Sequence, residues 1–495
     1  MTLSRRSFLR LAGLVAAGAT LSACAPVYSR LAGDGKPLAG WPPLAPGDFL
    51  ALSRMTFGPR VEERLRVAEI GLSAWIEEQL AHETIDDQAV QWRLANFDTL
   101  SMSATELADW SEDLFDGVDQ ESVPRELQRA TLIRQVYSRR QLYEVMVEFW
   151  SDHFNISVEK GDCFFLKTVD DRGVIRPHAL GTFRDLLWAS AHSPAMLVYL
   201  DNQVNHAGAP NENYARELME LHTLGVHGGY TQTDVQELAR CLTGWTVKDA
   251  FWRGDFTFNV DQHDTQAKTV LGMTITPEGQ GEAERVIEML AAHPSTARFI
   301  AAKLIRRFIA DDPPPDLVEK ASAAFTQSGG DLSAVLRVIL LDGLTAAQPR
   351  IKRPINFIAS ALRLLNGHTD AGNALRDYLA RMGQIPFAWP TPDGYPDRSG
   401  PWSGNLIPRW QFALALTRNE INGTQINLPE ILQASGAATP SGMIDQLSWL
   451  TLGTPLPAPA SDGLIAALRS AGAPGDDLPA IITAGLVASP AFQWR

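Results

Sequence analysis

The apolar residues of this chain recur at helical spacing, and that period restricts the fold more than any other feature. From Arg125 to Trp150 the residues Leu132, Val136, Leu142, Val145, Met146 and Phe149 fall on one helical face. The same spacing marks short helices at Ala51–Phe57 and Val61–Leu80, and a helix over 183–200 interrupted at Pro194. It returns over 283–310 and 316–342, separated by the rigid Asp311-Asp312-Pro313-Pro314-Pro315, and over a helix that starts at Pro354. Only between Trp245 and Thr276 does the period change. Phe256-Thr257-Phe258-Asn259-Val260 alternates, as does Thr269 to Ile275 less cleanly. The expected fold is therefore mainly α, a multi-helix globular body with a small β-hairpin insertion near 255–276. With 45% hydrophobic residues the chain can bury a large core. The body spans 48–495, with a helical C-terminal portion at 424–495.

The densest polar cluster lies at 201–245. Asn211 or Asn213 can cap a helix that ends at Gly225, with Val226 supplying the apolar contact after the glycine stop. Asn213, Glu217 and Glu220 share one stripe, with Arg216 at its edge. A second helix starts at Thr231 or Thr233, and Thr233 with Gln236 fits a capping box. Asp201, Asn202, Asn205, Glu217 and Glu220 are hard oxygen ligands suited to Ca2+ or Mg2+, and Glu217 also fits a general acid or base. The same residues fit a solvated helix face locked by an Arg216 salt bridge. Aligned on Gly228, the loop lacks the acids of an EF-hand.

Two histidines stand beside acids. His153 sits in Trp150-Ser151-Asp152-His153-Phe154, as a general base or as a hydrogen-bonded core residue. His263 precedes Asp264 with Lys268 nearby, a pairing that can hold a metal or move a proton. The stretch 382–410 is too rich in proline and glycine for regular structure. Its Trp389, Tyr395 and Trp402 can bind an apolar or sugar substrate, or cover the helical core. Arg306 and Arg307 are offset by Asp311 and Asp312. No glycine-rich phosphate loop, serine elbow or CxxC pair occurs.

The N-terminus carries an address. Ser4-Arg5-Arg6-Ser7-Phe8-Leu9-Arg10 looks like a twin-arginine export motif, followed by an apolar run from Leu11 to Leu21 too short to span a membrane. Leu21-Ser22-Ala23-Cys24 matches a lipobox. Residues 1–23 then form a signal peptide, Cys24 is acylated, and 24–47 is a lipidated, flexible tether. Ala25 gives no inner-membrane retention signal, so the expected place is the outer membrane, facing the periplasm. Export in the folded state means that Cys163 and Cys241 fold in a reducing compartment, as buried free thiols. Removing Arg5, Arg6 and Arg10 takes the formal charge from −14 to −17. That balance disfavours nucleic acid and leaves the N-terminal lipid as the membrane contact.

Several blocks, in order, resemble the bacterial family catalogued as domain of unknown function 1800. They include PAMLVYLDN, NENYARELMELHTLGVHGGYTQTDVQELARCLTGW, FWSDHF, GQIPFAWPTPDGYP and the closing LVASPAFQWR. The resemblance implies an exported, mostly helical protein, often encoded beside an alkaline-phosphatase-like companion, with no established activity. It also implies that the position of His222 accepts phenylalanine, which favours packing there. Two functions follow. One is metal-assisted hydrolysis, with Glu217 and Glu220 joined by Asp201, Asn202 or Asn205 on a divalent cation, and His153 or His263 moving protons. The other is a non-catalytic binding or assembly partner of the phosphatase-like companion.

Overall fold

Helices from Pro46–Met55 to Pro490–Gln493 build the body, joined by short loops and three two-stranded pairings. The computed structural model describes residues 40–41, 43–112, 122–248, 254–470 and 477–495; the expected export signal, the expected acylation site Cys24 and most of the expected tether lie outside them. One continuous cluster of buried apolar side chains reaches from Leu44 to Phe492, so both ends of the described chain share a core. Cys163 and Cys241 are buried free thiols.

The helix expected over 125–150 is two helices, Ser122–Tyr137 and Gln141–His153. A remote aspartate makes the break. Asp87 accepts from the Ser138 hydroxyl at 2.8 Å and from the Arg139 amide at 2.8 Å. The Gln141 side chain donates to the carbonyls of Gln135 and Ser138, closing the first helix. Main-chain groups freed at the break thus find side-chain partners instead of water.

The alternating region forms two hairpins. Trp245–Val247 (β1) pairs antiparallel with Phe256–Phe258 (β2), and Lys268–Val270 (β3) with Met273–Ile275 (β4). The second turns on Leu271 and Gly272, whose φ angles of 50° and 77° match the mirror-image turn that suits twisted strands. The Leu271 amide donates to Asp234 at 2.7 Å, which holds a leucine in a conformation that side chains avoid.

Glu282, in the Gly281–Ala292 helix, ties this region down. Its carboxylate accepts from Lys268 and, at 3.0 Å, from His263 Nε2. The amides of Glu278 and Gly279 donate to the same carboxylate. His263 Nδ1 donates to the Thr243 carbonyl at 2.8 Å, and Asp264 pairs with Arg240 at 2.8 Å. Both ring nitrogens of His263 are therefore engaged inside the fold. Glu282→Ala is expected to leave Lys268 and His263 buried and unpaired, lowering unfolding free energy by about 3–5 kcal/mol. Urea denaturation followed by circular dichroism measures the loss.

Candidate functional site

The cluster at 201–223 divides into residues that bind the main chain and residues that do not. Asn202 is fully buried, and its amide donates to the carbonyls of Leu242 at 3.3 Å and Trp245 at 3.0 Å. Its oxygen accepts from Asn205 at 3.1 Å, while Asn205 also donates to Ala239 and accepts from the Asn211 amide. The two asparagines bracket the entry to the next helix against the end of the Gln232–Cys241 helix. Asp201 has φ 59° and pairs with Lys160 through both oxygens at 2.8 Å. These three oxygen donors are turned to packing or to a lysine, away from Glu217.

Asn211 caps the next helix, as its spacing predicts. After one and a half turns, at Leu218–Thr223, the winding widens to a π-helix, with the Leu224 amide reaching the Met219 carbonyl at 2.8 Å. Such widened turns recur at functional sites. Gly225, at φ 80°, ends the helix beneath the Phe299 ring, where an added Cβ would sit 2.8 Å from the ring. Val226 is 61% exposed, so the ring of Phe299, not Val226, covers the glycine stop. The following helix is capped by Thr231 with Asp234, two residues earlier than Thr233 with Gln236.

Arg216 pairs with Glu212 at 2.9 Å and with Gln232 at 3.0 Å, stapling the two helices. It forms no direct bond to Glu217. Glu217 is half-buried and has no hydrogen-bond partner among the described residues. Burial, then the neighbouring charge of Glu220, raises its carboxyl above the usual range, with Asp393 adding to the effect and Arg216 opposing it. Glu220 accepts from the Tyr230 hydroxyl at 3.1 Å.

His153 lies at the end of the Gln141–His153 helix in an aromatic cage of Trp150, Phe154, Phe183 and Phe299. Its Nε2 donates to the His222 carbonyl at 3.0 Å, and its Nδ1 accepts from the Lys303 ammonium at 2.8 Å. This assigns the neutral tautomer with the proton on Nε2. Burial and then Lys303 hold His153 well below the ordinary histidine value. Burial likewise brings Lys303 down to about 8, against the fields of Asp397, Asp152 and Asp393. A lysine brought down toward neutrality beside an accepting histidine has the chemistry that proton transfer needs. His222 is fully packed, with neither ring nitrogen bonded, and burial brings it down to about 3.

The proline-rich stretch is pinned onto the end of this helix. Asn155 donates to the carbonyls of Trp389 and Thr391 at 3.0 and 2.8 Å, and Tyr199 donates to Pro390 at 3.0 Å. Gly394, at φ 70°, comes so near that an added Cβ would lie 2.1 Å from the Asp152 carbonyl. Tyr395 bonds the main chain of Ile385 and Trp402 that of Pro396, so both rings close the loop from within. Trp389 is half-buried and donates to Asp393 at 3.0 Å.

Beneath the loop runs an ion network. Arg307 pairs with Glu148 and lies 3.5 Å from Asp397. Arg353 reaches Asp152 at 2.6 Å, Asp397 at 3.6 Å and Glu148 at 3.8 Å. Three acids face two arginines, and burial pushes Asp152 up to about 6, with Arg353 opposing. Arg307 thus serves this network, while Asp311 pairs with Arg350 at 2.9 Å. A cavity of about 30 Å³ beside Glu148, Asp152 and Arg353 has room for a water or two.

Asp393 bears on both Glu217 and Lys303, and Lys303 pairs with His153, while Asp201, Asn202, Asn205 and His263 are not part of that group. No group of three or more His, Cys, Asp or Glu side chains close enough to hold a metal ion occurs among the described residues. Sequence reasoning missed Lys303, Asp393 and Asn155. Asp393 lies in the quoted block GQIPFAWPTPDGYP and Asn155 directly follows FWSDHF, whereas Lys303 lies in neither block and carried no signal.

Helix ends and a proline-rich cover around a half-open acid–lysine cluster define the class: a helical protein with a built polar site. The chain belongs to the family described as protein of unknown function (DUF1800), whose model matches residues 50–494. No curated protein and no solved structure matches it.

Two outcomes test the site. Carbon-13 NMR of labelled lysines is expected to show one ammonium titrating near pH 8 that is absent in Lys303→Met. Because the unfolded chain keeps that proton up to the ordinary value of 10.5, stability should rise with pH between about 8 and 10.5, and Lys303→Met should flatten the rise. Gly394→Ala adds about 1–2 kcal/mol of left-handed backbone strain to its collision with Asp152. It should therefore free the loop, measured as faster amide exchange at 386–396.

Proposed function

We propose that this protein is an envelope hydrolase that works by proton transfer. It would leave the cell by the twin-arginine route and be held by acylated Cys24 at the outer membrane, facing the periplasm. The observation that carries the reading is Glu217, half-buried, raised above the usual carboxyl range and bonded to no described side chain, with Asp393 bearing on both it and Lys303. Buried polar groups are normally partnered, and a half-buried carboxyl with no protein partner is available to a substrate.

In the proposed reaction, neutral Lys303 takes a proton from the attacking water, steadied by the bond to His153 Nδ1. The water oxygen bonds to the electrophilic centre as the leaving group departs, and Glu217 gives its proton to that leaving group. Trp389 offers a half-open ring for the substrate to stack on. Tyr395 and Trp402 support this loop from within. Metal-assisted hydrolysis, with Glu217 and Glu220 ionised on Mg2+ or Ca2+, is an alternative to this step and not a part of it, because a carboxylate on a divalent cation has no proton to give.

A second reading, assembly with an alkaline-phosphatase-like companion, is favoured by one surface. The Leu406–Thr417 helix leaves Leu406, Ile407, Trp410 and Leu414 exposed along one side. Contiguous exposed apolar residues commonly mark protein contacts. Co-purification after mild crosslinking, compared with Ile407→Asp, tests it; equal recovery of the companion with both proteins would remove the support.

The enzyme reading is tested on a panel of chromogenic esters, phosphates, glycosides and peptides, and on purified envelope polymers. Turnover is expected to fall by about 10²–10⁴-fold in Glu217→Gln, with the melting temperature unchanged. Absence of turnover across the panel, or turnover equal in Glu217→Gln, overturns it.

A further inference from the structure

A second built site lies away from the Glu217 cluster, where the first and last described helices meet. A cavity of about 230 Å³ opens between the Pro46–Met55 helix, the start of the Pro354–Leu364 helix and the C-terminal segment. Its walls are mostly apolar and include Phe49, Phe57, Leu364, Leu452 and Trp494. Seven polar side chains also line it, and three of them carry the amide and the basic groups, each nine-tenths or more buried: Asn356 at 1% exposure, Lys352 at 5% and Arg495 at 8%.

These three are not satisfied by the protein. Neither the nitrogen nor the oxygen of the Asn356 amide has a hydrogen-bond partner among the described residues. Arg495 Nε is also unpartnered, and its Nη1 has only a long 3.4 Å bond to the Ser53 carbonyl. Lys352 Nζ sits 3.5 Å from the centre of the Phe492 ring and has no ion-pair partner among the described residues. The charged groups that bear on it are Arg495 and Arg409, both cationic. Arg307 and Lys268 are buried against acids, Glu148 and Glu282. Lys352 and Arg495 instead line an apolar hollow with no ion pair among the described residues, Arg495 having only the field of Glu148 against those of Arg307, Arg54 and Arg350.

An unpaired buried amide and two unpaired buried cations destabilise the empty fold. A ligand that removes the cost must bring a negative charge, for Lys352 and Arg495. Beside it must stand a hydrogen-bond donor, because Asn356 offers an unused acceptor as well as an unused donor. The rest of the ligand must be apolar to match the walls. An apolar cavity of about 150 Å³ takes benzene, so this one accommodates roughly nine to twelve heavy atoms. We propose that the cavity binds a small apolar organic acid carrying a hydroxyl or N–H next to its carboxylate, of the 2-hydroxy acid or N-acyl amino acid type.

Lys352 adds a signature. Burial, then Arg495 and Arg409, hold it well below the ordinary lysine value. A bound carboxylate favours the ammonium, and binding should take up a proton.

The test uses the full-length chain carrying Cys24→Ser, with 3-phenyllactate as probe. Calorimetry in two buffers of different ionisation enthalpy is expected to show binding with proton uptake. Hydrocinnamate, which lacks the hydroxyl, and 3-phenylpropanol, which lacks the carboxylate, should each bind at least tenfold more weakly. Lys352→Met and Asn356→Leu should each weaken phenyllactate at least tenfold while leaving the ligand-free melting temperature unchanged or higher, because each removes an unpaired polar group. A purely structural role would instead lower it. No binding by the unsubstituted site at millimolar probe, or affinities within twofold across the variants, overturns the proposal. The Glu217 turnover assay is independent, so either result stands without the other.

Discussion

Two buried arginines hold three acids together where four parts of the chain meet, and the polar site is arranged on that junction. Glu148 and Asp152 come from the Gln141–His153 helix, Arg307 from the Pro294–Phe308 helix, Arg353 from the cap of the Pro354–Leu364 helix, and Asp397 from the proline-rich loop. Burying such charges costs several kcal/mol per ion, repaid only when each ion meets its partners in good geometry. The network therefore fixes where the loop can lie. It brings Asp393 over the helix end, and it leaves an excess of negative charge that Lys303, at the rim, partly offsets.

Polar side chains in this protein follow two rules. Most are brackets for the main chain. Asn202, Asn205 and Asn155 donate to carbonyls at helix ends and loops that have no helical or sheet partner of their own. Glu282 does the same with ions at the second hairpin. A few side chains escape the rule: half-buried Glu217, and Asn356 with Lys352 in the apolar cavity. The open carboxyl and the open amide differ from their neighbours by what they lack, not by residue type.

Local signals were legible where local physics decides. The mainly helical class and the hairpins near 255–276 follow from side-chain period, and the Asn211 cap and Gly225 stop follow from the groups left free at helix ends. The break at Ser138 escaped because its cause, Asp87, is remote in the chain. Strand β1 escaped because Trp245–Val247 alone has too few residues to show alternation. Asp201, Asn202 and Glu217 looked alike as hard oxygen donors. Which of them meets a lysine, a carbonyl or nothing depends on the packing of segments distant in sequence.

The sequence alone determined that this chain is helical, that Asn211 caps one of its helices, and that it is strongly acidic. Those properties depend on spacing, on composition or on contiguous residues. Tertiary structure decided which acids are free, that Lys303 and His153 form a pair, and that unpaired cations line an apolar hollow. Each of those depends on desolvation and on distances between residues far apart in the chain, and neither quantity exists until the chain has packed.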